Sequence, residues 1–426
     1  MLKSGVATKI ANNTIYQIVG KFISMSITML AVMIITRNYG KEGYGSFSLM
    51  QTFPALFFVI VDFGINAIAA RELSKDWSKA NKYLGNIILI RLLFSFLLIL
   101  LINISLSFFP YSTELKSGIR LSLFLLLTQS LYTTANIFFQ VKLKYDYSAI
   151  SYTIGYLVIL ALVLSLSYLK VDVKWVNFSY VIGGIVTLLM CSKFIKKLGI
   201  KPDFAIDKDL WKYLVLSALP LGIMFCFSQV SFKQDSLMVS VMKLPSSYGL
   251  NNTESVAVYA LAYKVFEVFL VIPTFFMNSA YPVLVRHMVE GKEKLKNTFS
   301  KVILFLLFSG LLVGFLGVIL SPMVVKVIGG EGFDQSVLAL RILSSGLVIF
   351  YLSQPISWLI VTLGYQARLP FIYFLSAVFN VAANIVFIPK YSFYASAVIT
   401  ILTEILILVL LIFTAKKSWR DKYVES

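Results

Sequence analysis

Eight charged residues stand where the surrounding sequence is apolar: the cations Lys21, Arg91, Lys233 and Lys264, and the carboxylates Asp62, Asp235, Glu267 and Glu404. An ionised side chain at the centre of a bilayer costs about 3 kcal/mol or more, so such residues face a wet cavity or a partner of opposite sign. Ammonium and guanidinium groups match phosphate or carboxylate groups on a ligand. Carboxylates in the same setting suit coupling to H+ or Na+. The chemistry implied is recognition of an anion, with carboxylates nearby as counter-ions or coupling sites.

Spacing sharpens this reading. Were Lys21 to snorkel out of the first apolar run, Phe22 to Thr36 would cover only about 22 Å, too short for a hydrocarbon core of about 30 Å. Lys21 is therefore expected within the membrane. Asn13, Gln17, Lys21, Ser24 and Thr28 follow helical steps and form one polar stripe, which lines either water or a hydrogen-bonded seam with another helix. In the seventh run Gln229 and Lys233 share a face, while Ser228, Ser231 and Asp235 share another. Lys264 and Glu267, three residues apart, either neutralise each other or serve a ligand. Arg91 lies a turn or two inside its run and reads as snorkelling to the cytoplasm. Asp62, one turn from Asn66, either titrates, binds an ion, or pairs with Lys21 or Lys233. Glu404, alone in the last run, is either a packing contact or a proton site.

The elements that must position these residues are membrane helices. Of 426 residues, 58% are hydrophobic and only 14% charged, against about 25% in soluble domains; the mean hydropathy is +0.84. Twelve spans are predicted, near 10–36, 46–70, 84–109, 119–140, 149–169, 175–195, 211–243, 255–285, 299–325, 335–362, 370–388 and 391–415. The first contains Gln17 and Lys21 and is followed by no small-residue cleavage site, so it reads as a span rather than a removable signal.

The net charge of +18 is distributed by side. Segments 71–83, 141–148, 193–212, 286–301 and 416–426 are rich in Lys and Arg, and those between them are poor. The totals are about 24 basic residues on one side and about 10 on the other. The positive-inside rule then makes the rich side cytoplasmic and places both termini there, and the charge needs no nucleic-acid partner. Trp77, Trp175, Trp211 and Trp419 fall at span ends, where amphipathic rings prefer to sit. Cys191 and Cys226 lie in apolar stretches and His287 in a charged loop, so neither a metal site nor a disulfide framework is expected. No G-x-x-x-x-G-K-[ST] loop is present, and no cofactor is implied.

The halves echo each other. Gln17-Ile-Val-Gly-Lys21 resembles Gln229-Val-Ser-Phe-Lys233; Tyr44 and Arg71 recur at the same spacing as Tyr259 and Arg286, and Lys79 recurs as Lys294. Six spans per half give a parallel repeat. The expected organisation is an N-terminal six-helix lobe (1–200), a cytoplasmic linker (201–210), and a C-terminal six-helix lobe with a basic tail (211–426).

The stretch Arg37-Asn-Tyr-Gly-Lys-Glu-Gly-Tyr-Gly-Ser-Phe-Ser-Leu49 resembles the end of the first helix in polysaccharide exporters, with Tyr39 where leucine is usual and Lys41 where proline is common. Asp62-Phe-Gly-Ile-Asn-Ala-Ile-Ala-Ala-Arg71-Glu72 resembles their second-helix motif. Leu219-Pro220, Asp235-Ser-Leu-Met238, Tyr259 and Tyr281-Pro-Val-Leu-Val-Arg286 follow in family-like order. The chain thus resembles the Wzx-type O-antigen and capsule flippases of the multidrug/oligosaccharidyl-lipid/polysaccharide (MOP) exporter superfamily. The resemblance implies an all-α fold of two six-helix lobes around a central cleft. It also implies alternating access and passage of undecaprenyl-diphosphate-linked oligosaccharide to the periplasmic leaflet. By position, Lys21, Arg37 and Lys233 take the role of cavity cations; Asp62, Asp235 and Glu267 become coupling or counter-ion candidates. Arg37 reads equally as an interfacial anchor. A polysaccharide polymerase and chain-length proteins are the implied protein partners.

Three rivals remain in view. A drug exporter of the same superfamily would carry cations, which a basic cavity repels. A peptidoglycan-precursor flippase would carry extra helices. A polymerase or ligase would need a large periplasmic loop, whereas the longest here is about a dozen residues.

Overall fold

The computed structural model describes residues 4–423, with side chains from Ile15 onward; the side chain of Asn13 lies outside the described residues. In hydrocarbon each backbone N–H and C=O must be satisfied within its own segment, and apolar runs of this length answer with helix. The helices are α1 (Ser4–Asp62), α2 (Ile65–Lys75), α3 (Ala80–Ser105), α4 (Thr113–Ser122), α5 (Phe124–Val141), α6 (Tyr145–Tyr168) and α7 (Val173–Lys197). They continue with α8 (Lys208–Val241), α9 (Asn252–Phe269), α10 (Val271–Glu290), α11 (Lys292–Gly329), α12 (Gln335–Ser345), α13 (Leu347–Thr362) and α14 (Leu369–Tyr423). No strand occurs among the described residues.

Among the described residues, ten helical segments are long and apolar enough to cross a membrane. Two are double. One breaks at Gly40 (φ 63°, ψ −162°) and the other at Ser392 (φ 53°, ψ −146°). Hydrogen bonds from Asn380 to Thr403 and from Ser396 to Asn384 show the two arms of α14 folded back on each other. The ten segments therefore resolve into the twelve spans expected. Where loops are predicted at 37–45 and 389–390, the chain turns about a single residue instead. Glycine adopts positive φ at no steric cost; Ser392 does so under strain.

The second span departs from prediction. Read as continuous over 46–70, it is broken at Phe63 (φ 43°) and Gly64 (φ 76°), which separate α1 from α2. The break leaves Asp62 at the end of one helix and Asn66 in the first turn of the next.

Two compact units emerge, residues 1–226 and 227–426. The division falls inside α8, later than the 201–210 linker. The physical reason is that Leu210, Leu214 and Ala218 of α8 complete the core of the first unit, packing with Ile65, Leu73, Ile87 and Phe138. The linker itself is a strap lying on the start of α3. Asp203 N–H donates to Asn81 O (3.0 Å), Lys201 N–H to Asn81 Oδ1 (3.0 Å) and Asn86 Nδ2 to Ala205 O (3.1 Å). Asn86 Oδ1 accepts from Asp207 N–H (3.0 Å) and Trp211 Nε1 (2.7 Å). Gly85 permits this approach: a Cβ there would sit 1.7 Å from the carbonyl oxygen of Asp203.

In the second unit the Phe266 and Phe350 rings meet edge to face (5.1 Å), and the Tyr351 hydroxyl donates to Phe269 O (2.8 Å). Phe308, Leu312 and Phe315 of α11 are exposed, as are Phe96, Leu100 and Ile104 of α3, which suits faces solvated by lipid.

Candidate functional site

In the second unit three predicted residues come together. Glu267 of α9 accepts through Oε2 from Lys264 Nζ (3.0 Å), its neighbour one turn away, and through Oε1 from Lys233 Nζ of α8. The i, i+3 pairing is as the spacing suggests; the second ammonium, from another helix, is what the fold adds. Lys233 also lies over the Tyr263 ring, 5.7 Å from its centre. Two cations and one carboxylate leave a net positive charge. None of the three is buried outright: the side chains keep 26%, 38% and 30% of their surface for Lys233, Lys264 and Glu267. Gln229, one turn before Lys233, is half-buried.

In the first unit, Lys21 and Arg37 are exposed. Gln17 hydrogen-bonds Tyr145 at the start of α6. The Ser24 hydroxyl donates to Lys21 O and the Thr28 hydroxyl to Ser24 O, both at 2.8 Å. Part of the predicted stripe is thus turned back into its own helix or satisfied by α6.

Asp235 is buried two residues beyond Lys233. Its Oδ2 accepts from the hydroxyls of Tyr259 (2.8 Å) and Thr400 (3.1 Å), and its Oδ1 from Asn384 Nδ2 (3.0 Å). Asn384 also bonds Asn380 Oδ1 (3.0 Å) and accepts from Ser396 (2.9 Å), and Gln234 reaches Asn380 (2.5 Å). A single carboxylate from α8 is met by two hydroxyls and an amide N–H drawn from α9 and both arms of α14. That donor chemistry fits a proton or a small hard cation. Sequence reasoning names Asp235 but misses Asn380, Asn384, Ser396 and Thr400. Their signal is the four-residue spacing of 380 and 384, and of 396, 400 and 404, inside apolar runs. Glu404 continues that row, is buried, and accepts from the Ser353 hydroxyl of α13.

Arg91 corrects two expectations. It does not snorkel: its side chain has 0% exposure. The pairing offered for Asp62 with Lys21 or Lys233 is replaced by one with Arg91, whose Nη2 lies 2.5 Å from Asp62 Oδ1 and 2.8 Å from Asn66 Oδ1. Nη1 donates to Ser130 O (2.9 Å), Thr134 (2.6 Å) and Thr133 (3.2 Å). The break at Phe63–Gly64 brings Asp62 and Asn66 to one guanidinium, with the other side of the socket formed by α5.

Solved structures with this fold cover nearly the whole chain. An inward-facing multidrug-resistance MATE-family transporter of the MOP superfamily matches with TM-score 0.77 and 14% identity, over 95% of this chain and 96% of that one. The lipid II flippase MurJ, in an inward closed conformation, matches with TM-score 0.75 and 16% identity over 95% and 89%. A MOP-superfamily transporter from Pyrococcus furiosus, described as having a binding pocket of reversed polarity, matches with TM-score 0.69 and 14% identity over 98% and 96%. The chain therefore has the MOP-exporter fold. No curated relative matches it. The family model described as "Polysaccharide biosynthesis protein" matches residues 10–288, more than half of the chain. This multi-pass membrane protein belongs to the polysaccharide biosynthesis protein family.

Proposed function

We propose that the protein is a flippase that carries an undecaprenyl-diphosphate-linked oligosaccharide, an O-antigen or capsule repeat unit, from the cytoplasmic to the periplasmic leaflet of a bacterial inner membrane. The observation that carries this is the convergence of Lys233 and Lys264 on one carboxylate inside spanning helices of a polysaccharide biosynthesis protein. A net positive, partly accessible cluster at membrane depth suits a diphosphate. In the first lobe the same role is assigned to Lys21 and Arg37, with Asn13 and Gln17 as polar groups by their place in the sequence; in the second lobe Gln229 stands one turn before Lys233. The likeness to the lipid II flippase supports the same class of cargo. A polymerase and chain-length proteins would take up the product, and both termini stay cytoplasmic.

Coupling to H+ or Na+ is assigned to Asp235, with Glu404 as a second acidic group. The link is short: α8 carries both Lys233 and Asp235, and α9 carries their partners Glu267 and Tyr259. A cation bound at Asp235 competes with the Tyr259 hydrogen bond and so acts on the same helix pair that holds the lysines. Asp62, committed to Arg91, leaves the coupling set.

Purified protein in proteoliposomes with its lipid-diphosphate oligosaccharide tests the reading. Glycan exposure to an impermeant lectin or glycosidase, above that of protein-free vesicles, is the expected result. Export of organic cations with no glycan exposure would instead establish a drug exporter.

A further inference from the structure

We propose that Glu267 is a resident stand-in for the substrate's phosphate, holding the two lysines until a diphosphate displaces it. This rests on the flippase reading above. Glu267 meets one ammonium with each oxygen, Lys233 at Oε1 and Lys264 at Oε2. Two terminal phosphate oxygens offer the same forked pair of charge-assisted acceptors. The exchange would require only small movements of two flexible side chains.

Accessibility separates this cluster from the other intramembrane ion pair. The Arg91 guanidinium is wholly enclosed and tied by further bonds to Asn66, Ser130 and Thr134. Lys233, Lys264 and Glu267 each keep a quarter or more of their surface, so an approaching anion can reach both ammoniums. They also come from two helices, and α9 contributes both a lysine and the carboxylate. The exchange is therefore one of side-chain rotation, without movement of backbone.

Two consequences follow for the carrier. Without cargo it does not expose two uncompensated ammoniums inside the bilayer, and after transport the carboxylate recaptures the lysines and expels the product. Any phosphate that takes the site must first displace this internal anion, so Glu267 lowers the apparent affinity for a lipid diphosphate and a lipid monophosphate by the same factor.

Farnesyl diphosphate and farnesyl monophosphate, titrated into purified protein by calorimetry, test this. Glu267→Gln should bind both lipid phosphates about tenfold tighter than wild type, because both displace the same carboxylate. In proteoliposomes the same variant should flip more slowly because release is slow. Glu267→Asp, which keeps the charge on a shorter arm, should fall between. Wild-type binding that is lost in Lys233→Gln but unchanged or weakened in a folded Glu267→Gln would overturn the stand-in and leave the flippase reading intact. Failure of wild type and Glu267→Gln alike to bind either lipid phosphate would remove both. Should Glu267→Gln not fold, Glu267→Asp decides: about threefold tighter binding supports the proposal, and unchanged binding overturns it.

Discussion

The socket around Arg91 shows how a full charge is kept in a membrane interior. One carboxylate neutralises it, and an amide, two threonine hydroxyls and a carbonyl take up N–H groups of Nη1 and Nη2, while Nε–H is buried without a hydrogen-bond partner. Removing the carboxylate strands the cation, which in buried pairs costs about 3–5 kcal/mol. Asp62→Ala is therefore expected to lower the thermal unfolding temperature sharply, while Asp62→Ala with Arg91→Met recovers much of the loss. Equal destabilisation of single and double variants would show that the pair contributes through shape alone. Asp235 is a different case, because its partners are all neutral. Asp235→Asn should leave folding intact and abolish the response of glycan exposure to an imposed H+ or Na+ gradient. A variant that still responds would shift the coupling role to Glu404. The sequence exposes these residues as charges out of place, but it hides their partners. Asp62 and Arg91 are 29 positions apart, and only the broken second span aims one at the other.

Among the elements, the strap at Ile200–Asp207 is the clearest departure from a passive linker. It depends on Gly85 having no side chain and on Asn81 and Asn86 offering their amides. Gly85→Ala cannot keep Asp203 in place, so trypsin is expected to cleave faster after Lys208 in that variant, at pH 7 in detergent. The Lys82 ammonium beside Asp207 holds its carboxyl below the usual carboxylate range, helped by the Leu210 N–H. A lowered value means that the contact is intact throughout neutral pH and is lost only as pH falls through that lowered value. Lys82→Met brings the loss to higher pH, detectable as earlier amide exchange of the strap on acidification. Composition foretells a polar connection here. Its attachment is not legible, because two asparagines and a glycine at the head of an apolar run carry no periodic signal.

At the scale of the molecule, hydropathy and length are enough for twelve spans, since a hydrocarbon solvent leaves the backbone few choices. The same physics says little about where a span is interrupted, which is why the break after Asp62 and the one-residue turns at Gly40 and Ser392 go unread. The candidate site divides in the same way. Lys264 with Glu267 is written in a three-residue spacing, whereas Lys233 joining them, and the oxygen cluster around Asp235, arise from packing among helices distant in sequence.

The placement of Leu210, Leu214 and Ala218 in the core of the first unit also bears on the order of synthesis. A nascent chain that has delivered its sixth span to the membrane still lacks the residues that close its first core, and must wait for the start of the seventh. Two separately expressed fragments divided at residue 200 should therefore be degraded when made alone. Fragments divided in the 244–251 loop should accumulate and reconstitute transport when made together. The gene could be cut where the helices end, but the protein would come apart where the packing does.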